Sequence, residues 1–321
     1  MKILELVENC KTIGISGHVN PDGDCAGSCM GMALFLRKYL PEARVDVFLE
    51  ELPPELERNI PCTDTIDHTF TTDVESYDAF ILLDVDNHRA GPAGSMFDKA
   101  AKRINIDHHI SNKGCGEYNY IDSKASSACE LVYNSFDGMP IDKEIAQALY
   151  VGIVTDTGTF RFSNTGKHTL KIAGELITHG FDFSNIIREV YFERSPKQMR
   201  VFGEAFRLAQ IKEDGKLVIS VMSHDEIIKI GATNQDMDGA AEQLVLTEGA
   251  DCAVFAHEDE PGLWRLSMRS IQIVDVARVA GKFGGGGHIR AAGCTIHTRN
   301  FQPILARIVK LVHEQLAGKD L

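Results

Sequence analysis

The chain of 321 residues has no apolar run near the roughly 18 residues needed to cross a bilayer. Its first eleven residues are charged and amphipathic and lack the apolar centre of a secretion signal, so a cytoplasmic protein is the expectation. No Cys-x-x-Cys pair occurs among its eight cysteines. Cys25 and Cys29 lie four apart at an expected helix start, and most of the others stand among apolar or small residues. That pattern predicts reduced, mostly buried thiols rather than a disulfide framework or a sulfur-based zinc site. Positive charge is in deficit: 33 Lys and Arg against 46 Asp and Glu leave a net −13. Tight nonspecific binding of long nucleic acid is disfavoured, whereas a small phosphorylated ligand in a locally positive site is not. Internal repeats and low-complexity stretches are also absent. What remains is ordinary globular composition, 44% hydrophobic and 25% charged, with length enough for two domains.

The first 160 or so residues alternate between short apolar strands and helical segments. Thr12–Ser16, Arg44–Leu49, Ala79–Val85 and Arg103–Ile106 read as strands, the last two nearly continuously apolar, as for strands covered on both faces. Ala26–Leu40 has helical periodicity and stops at Pro41. Ser126 or Ser127 can cap a helix running to about Phe136, with Glu130 in capping-box position from Ser127. Asp142–Val154 and Lys167–His179 are further helices. The rhythm predicts an α/β fold with a mostly parallel, Rossmann-like sheet, helices on both faces, and ligands outside the carboxyl ends of the strands. Ser184–Gln210 is helical, broken at Pro196, and expected to link the halves. A second pattern follows: strand Leu217–Met222, helix Gly239–Thr247, and strands Asp251–His257 and Leu263–Ser270 around the turn Asp259-Glu260-Pro261-Gly262. Then come a short helix Asp275–Lys282, a strand Cys294–His297 and a closing helix Gln302–Leu316. The expected division is 1–183 for the first domain, 184–212 for a helical linker and 213–321 for a smaller α/β domain.

Four acid or acid/His clusters stand at the ends of these elements. In His18-Val-Asn-Pro-Asp22-Gly-Asp24, Pro21 and Gly23 hold an irregular loop, so that His18, Asp22 and Asp24 can share one volume. The plainer alternative is a polar turn whose aspartates cap the helix from Ala26. Asp84 directly follows the apolar run Phe80–Leu83, and Asp107-His108-His109 follows Ile104–Ile106. A carboxylate such as Asp107 can fix the tautomer of a ligating imidazole. Asp86, two residues beyond Asp84, is expected in a loop, as is Asp67-His68, which has no apolar strand before it. Asp156 ends a run, Tyr150–Thr155, that reads equally as helix or strand. Carboxylates with a minority of imidazoles suit Mn, Mg or Zn.

In the second half, Gly284-Gly285-Gly286-Gly287-His288 is a local oddity. Four glycines cost backbone entropy but let N–H groups approach an anion closely. The alternative is a flexible linker. Arg269 and Arg290 lie nearby in sequence and can supply charge for phosphate or a plane for base stacking.

Together, His18 to Asp24, Asp84, Asp107-His108-His109 and Asp156 resemble the four motifs of the DHH phosphoesterase superfamily, and Gly284–His288 resembles the signature of its DHHA1 domain. The resemblance runs from His18 to about His297, and the overall arrangement is similar to the bifunctional oligoribonuclease (nanoRNase) and 3′-phosphoadenosine-5′-phosphate (pAp) phosphatase group. It implies two divalent ions, Mn with Mg or Co as alternatives. His18, Asp22 and Asp84 would hold one, and Asp24, Asp84, His108 and Asp156 the other. His109 would stand beside the scissile phosphate and Asp107 would orient His108. Arg269, Gly285, Gly286, Gly287, His288 and Arg290 would bind the nucleotide, in a cleft between the domains. The implied partners are short single-stranded RNA or DNA oligonucleotides, pAp or dinucleotides, with no membrane. The residues are compatible with a homodimer and none requires it. The rival readings are a phosphodiesterase for pApA or c-di-AMP, a pyrophosphatase, and a noncatalytic nucleotide- or RNA-binding protein.

Overall fold

Six short stretches of the first half line up as one parallel sheet. In the computed structural model, which describes residues 1–319, these are β1 (Thr12–Ser16), β2 (Arg44–Phe48), β3 (Ile66–Asp67), β4 (Ala79–Leu83), β5 (Lys102–Asp107) and β6 (Tyr118–Ile121). They stand in the order β3-β2-β1-β4-β5-β6, with every pairing parallel. β4 is buried throughout, and its side chains alternate between two apolar cores: Ala79, Ile81 and Leu83 enter one, Phe80 and Leu82 the other. That alternation explains the unbroken apolar run, since a strand covered on both faces has no polar side. The order reverses between β1 and β4, the position at which doubly wound sheets open a crevice at their carboxyl ends. Asp67 does not lie in a loop: with Ile66 it forms the two-residue edge strand β3, paired with Phe48. Its Ile66 is buried, and its backbone pairs with β2.

The α-helices of this unit, which ends at Glu193, are α1 (Ile3–Val7), α2 (Gly23–Tyr39), α3 (Pro54–Asn59), α4 (Ala93–Lys99), α5 (Ala128–Ser135), α6 (Lys143–Asp156), α7 (Lys167–Ile177) and α8 (Phe183–Ile187). Asp156 is therefore the last residue of a helix. Ser127 caps α5, accepting from Glu130 N. The buried Glu130 carboxylate bonds the Ser126 and Thr169 hydroxyls instead of completing the reciprocal box.

The decisive packing is α2 against α6. Gly23, Gly27 and Gly31 recur every fourth residue, on one helix face. A Cβ on Gly23 would stand 2.4 Å from Thr155 Oγ1, on Gly27 2.6 Å from Ala148 O, and on Gly31 2.6 Å from Leu149 Cδ2. The helices thus run antiparallel and nearly backbone to backbone. Gly152 answers from α6, where a Cβ would lie 3.0 Å from Asp24 Cα. Close approach brings the first turn of α2, with Asp24, beside the last turn of α6, with Asp156.

From Arg194 a second unit begins. Its strands are β7 (Gln210–Lys212), β8 (Leu217–Met222), β9 (Cys252–Glu260), β10 (Leu263–Ser270), β11 (Gly286–His288) and β12 (Ala291–His297), in the order β11-β12-β10-β9-β8-β7. Among the described residues of this unit only β8 and β9 pair in parallel. Its helices are α9 (Pro196–Leu208), α10 (His224–Ile230), α11 (Ala240–Val245), α12 (Val276–Gly281) and α13 (Gln302–Leu316). Trp264, Leu266 and Met268 of β10 enter a core with α12 and α13, while Ala253 and Phe255 of β9 enter another with α9 and α11. In the stretch expected to link the halves, Arg188–Phe192 makes a π-helical turn of the first unit, and α9 buries Val201, Phe202 and Ala205 in the second. The β9–β10 turn is tighter than expected, because β9 continues through Glu260 and leaves Pro261-Gly262 to reverse the chain. All eight cysteines are unpaired and six are buried. Among the described residues no helix is long and apolar enough to cross a membrane.

Gly27→Ala forces α2 and α6 apart against Ala148 O, a backbone atom that cannot rotate away. Its cost is expected at about 1–3 kcal/mol in urea unfolding, together with weaker divalent-metal binding. Gly174→Ala, in α7 with nothing within 4 Å of the new methyl, is expected to be neutral or stabilising by up to about 1 kcal/mol. Equal effects of the two changes refute the packing argument.

Candidate metal centre

The four clusters meet at one end of the parallel sheet. His18 follows β1, Asp84 follows β4, Asp107 ends β5, and Asp24 and Asp156 arrive on the facing ends of α2 and α6. His18 Nε2 lies 3.7 Å from Asp22 Oδ1 and 3.4 Å from Asp84 Oδ2. His108 Nε2 lies 3.5 Å from Asp84 Oδ1, 3.5 Å from Asp156 Oδ2 and 3.8 Å from Asp24 Oδ2. Ligand atoms within 4.8 Å of one another form two groups, His18/Asp22/Asp84 and Asp24/His108/Asp156, and a third, Asp84/Asp107/His108/His109. Asp84 touches both imidazoles and lies between the first two groups. The side chain of Asp22 is 62% exposed while those of Asp24 and Asp84 are almost completely buried, so the cluster opens to solvent on the Asp22 side.

Local structure holds each group in place. Asp22 caps α2, its Oδ1 accepting from Asp24 N and Cys25 N, so the capping alternative holds for this loop while Asp22 still lies within reach of His18. Asp24 accepts from Ala128 N (2.6 Å) and Cys129 N (2.9 Å), the first N–H groups of α5, which favours its charged form. His18 Nδ1 donates to Val19 O at 2.9 Å, which turns Nε2 toward the carboxylates and makes it the nitrogen free to ligate once its proton is lost. Asp84 has φ +58, a left-handed conformation costly for a non-glycine residue. Asp84 N donates to Ile106 O, and Asn105 Nδ2 donates to the flanking Leu82 and Val85 carbonyls.

Asn105 and Asn112 are residues in contact with the cluster that sequence reasoning passed over. Asn112 Nδ2 donates to Asp107 Oδ2 (2.6 Å) and Asn105 Oδ1 (3.0 Å), giving a buried chain from Asp107 to the backbone around Asp84. Asn105 had a signal: it is the polar residue between Ile104 and Ile106 in a buried strand. Asn112 had none. Asp107 does not contact the imidazole it was expected to orient. Its Oδ1 accepts from His109 Nδ1 at 2.7 Å and from His109 N at 3.0 Å. The short turn after β5 brings residue i+2 back over the carboxylate, as in an Asx turn.

Electrostatics test whether cations fit. Burial disfavours charge on His18, but the carboxylates of Asp22 and Asp84 outweigh it and push its pKa up to about 12. Burial likewise opposes charge on His108, yet Asp84, Asp24 and Asp156 raise it to about 10. Burial, with the charges of Asp84 and Asp22, raises Asp156 to about 7 despite His108. Burial and the charges of Asp84 and Asp156 push Asp24 well above the ordinary carboxylate range. The site thus gathers protons to offset its own charge. Asp84 Oδ1 is buried and accepts no hydrogen bond. An orphaned carboxylate oxygen amid imidazoles and acids is a donor set for hard or borderline divalent ions.

The second unit holds the remaining expected residues. Gly284 and Gly285 line a recess of about 580 Å³ that also includes Asn234, Asp238, His257 and Arg265. The glycine run is not a free loop: Gly286–His288 is the edge strand β11 on β12. A Cβ on Gly285 would stand 2.2 Å from Gly293 O, and on Gly287 2.4 Å from Ala291 O, whereas Gly286 faces open space. His288 is exposed. Arg269 pairs with Glu242 at 3.2 Å. Arg290 is exposed, and its guanidinium donates to the carbonyls of Gln272 and Val274, which ties it to that loop.

Comparison with known proteins follows the same division. Residues 12–153 match the DHH family, N-terminal domain, and residues 214–314 match the DHHA1 domain. The chain is similar to the bifunctional oligoribonuclease and PAP phosphatase NrnA of Thermus thermophilus, 29% identical over 321 residues, covering 98% of this chain and 93% of that protein. It is also similar to the cyclic-di-AMP phosphodiesterase PdeA of Listeria monocytogenes, 25% identical, covering 90% of this chain and 45% of that one. Among solved structures, an exopolyphosphatase-related protein from Bacteroides fragilis has the same fold, with TM-score 0.88 at 24% identity and coverage of 98% and 96%.

Divalent metal binding must expel protons held by His18, His108 and Asp156, so affinity is expected to rise with pH across the neutral range. Titration calorimetry in two buffers of different ionisation enthalpy should show net proton release with Mn. A pH-independent affinity without release contradicts the assigned ligands.

Proposed function

With a DHH domain followed by a DHHA1 domain, the chain belongs to the DHH family of metal-dependent phosphoesterases, and we propose that it hydrolyses short oligoribonucleotides to mononucleotides and pAp to AMP. The observation that carries this reading is the buried Asp84 carboxylate between the two ligand groups, whose Oδ1 accepts no hydrogen bond among the described residues. His18, Asp22 and Asp84 would hold one ion, and Asp24, His108, Asp156 and Asp84 a second, Mn being the first candidate. When bound, such ions supply an acidified water and offset charge on the phosphoryl oxygens.

The rest falls to the chain's own residues. His109 is raised above the ordinary imidazole range, first by its hydrogen bond to Asp107. A protonated His109 held at Nδ1 presents Nε2–H to a phosphoryl oxygen, where it stabilises developing negative charge. Asp107 sets that ring's orientation and is itself fixed by Asn112. The ester oxygen leaves in line with the attacking water, and no covalent enzyme intermediate is required. In the DHHA1 domain, Arg269, Gly285–Gly287 and His288 are assigned to nucleotide binding. Arg290 supports them through the loop carbonyls it holds.

The likeness to PdeA favours a second reading, a phosphodiesterase for c-di-AMP or its linear product pApA. Product analysis with Mn on a 5′-labelled RNA trimer, pAp and c-di-AMP in parallel separates the two. Mononucleotides and AMP are the expected products, and cleavage of c-di-AMP alone selects the second reading. No turnover with Mn, Mg or Co overturns both.

Asp84→Asn keeps a residue type that tolerates the left-handed backbone, so the fold is expected to survive. The metal-free protein should melt no lower than wild type, while turnover falls by about 100-fold or more. Near-native turnover would contradict the role given to Asp84. Gly286→Ala adds a methyl in open space, so stability should hold while KM for pAp rises. An unchanged KM removes the glycine run from the binding site.

A further inference from the structure

The segment after Asp156 holds three consecutive residues in the left-handed region. Gly158, Thr159 and Phe160 have φ of +54, +60 and +66. Left-handed residues normally occur singly, and each non-glycine one costs about 1–2 kcal/mol. The segment is tied at both ends to the helix that ends in Asp156. Thr159 N donates to Val154 O at 2.8 Å, and Asn164 Nδ2 donates to Asp156 O at 3.1 Å. Arg161 is fixed as well, with Nε on Gly158 O and Nη2 on the Tyr191 hydroxyl.

This turn separates two phenylalanines two residues apart. Phe160 is directed inward and lies against Tyr150. Phe162 is directed outward and is 50% exposed. A Cβ on Gly158 would stand 2.4 Å from Cζ and 2.6 Å from both Cε atoms of the Phe162 ring. Near-equal distances to those three atoms put the glycine over the ring's face rather than beyond its edge. Glycine is required there because any side chain would displace the ring. Among the described residues no other aromatic ring lies against Phe162. One face is therefore seated on backbone only two residues from Asp156, and half of the side chain remains open to solvent.

We propose that Phe162 is a stacking platform for a nucleobase of the substrate whose phosphate reaches the Asp84–Asp156 cluster. This rests on the nucleotide reading above and adds to it a base contact within the catalytic domain. An aromatic face backed by main chain, close along the sequence to a phosphate site, is suited to gripping single-stranded nucleotides without choice of sequence, because every base has a π-face. The ordering of the ring is built in advance by the strained turn, so little entropy is lost when a base arrives. An ordinary buried phenylalanine needs no such turn, since the chain could have carried both rings into the core.

The test compares pAp with ribose 3,5-bisphosphate, the same molecule without its adenine. Wild type is expected to favour pAp in kcat/KM. Phe162→Leu keeps an apolar contact on Gly158 but removes the π-face. It should reduce that preference about ten-fold, mainly through KM, and Phe162→Trp should restore it. Melting temperature and Mn affinity of the leucine variant should match wild type. Equal losses on both substrates with weaker Mn binding would mean a structural role and overturn the proposal, as would no change on either. Should wild type turn over neither substrate with Mn, Mg or Co, the functional reading fails. Phe162 is then judged on binding of AMP against ribose 5-phosphate. A preference for AMP that the leucine change abolishes supports the platform, and its absence or survival overturns it.

Discussion

Like charge in a buried volume is the constraint on which this structure depends. Asp24, Asp84 and Asp156 surround one imidazole, His108, and the first two are sealed from solvent. Two like charges about 4 Å apart repel by about 4 kcal/mol at an effective dielectric near 20. That is a large fraction of the 5–15 kcal/mol by which a typical domain is stable. Such a cluster persists only with counter-charge. Within the chain it comes from imidazoles held protonated and from the N–H groups of α5 on Asp24. The remaining capacity, above all the orphaned Asp84 Oδ1, is what divalent ions would use. Stability and function are therefore opposed at this point: each carboxylate that strengthens metal binding weakens the metal-free fold.

The scaffold answers with rigidity. Three ligand segments leave neighbouring strands of a parallel sheet, whose spacing is fixed by backbone hydrogen bonds. Two more arrive on α2 and α6, whose separation is set by Gly23, Gly27, Gly31 and Gly152 with no side chain between the backbones. Neither device can relax by rotating a side chain. Asp84 is further held in a left-handed conformation by Asn105, and Asp107 by Asn112. The second unit follows a similar logic at Gly285 and Gly287, where two backbones meet and a methyl group has no room.

Much of this was legible in the residues. The apolar runs ending in Ser16, Leu83 and Ile106 are strands because strands covered on both faces need apolar side chains throughout. Ligand types at their ends marked the site. Where reading along the chain failed, the reason was a partner distant in sequence or a backbone reversal. Glu130 looked like half of a capping box but bonds Thr169, thirty-nine residues on. Asp107 was matched with its neighbour His108, whereas the turn after β5 delivers His109. Arg290 also donates to the loop carbonyls of Gln272 and Val274, a contact of which its place in the chain carried no sign. Asp156 could not be placed on helix or strand, because a short apolar run has no periodicity that separates them.

By itself, then, the sequence determined the α/β class, the succession of most elements and the residue types able to hold metal, since these follow from local periodicity and side-chain chemistry. Only the tertiary structure decided which carboxylate meets which imidazole, why four glycines lie between α2 and α6, and that Phe162 faces outward while Phe160 faces inward. Those are distances between segments more than a hundred residues apart, or signs of a backbone angle. Neither is encoded by any single stretch of chain, and both are fixed when the sheet and its helices close on one another.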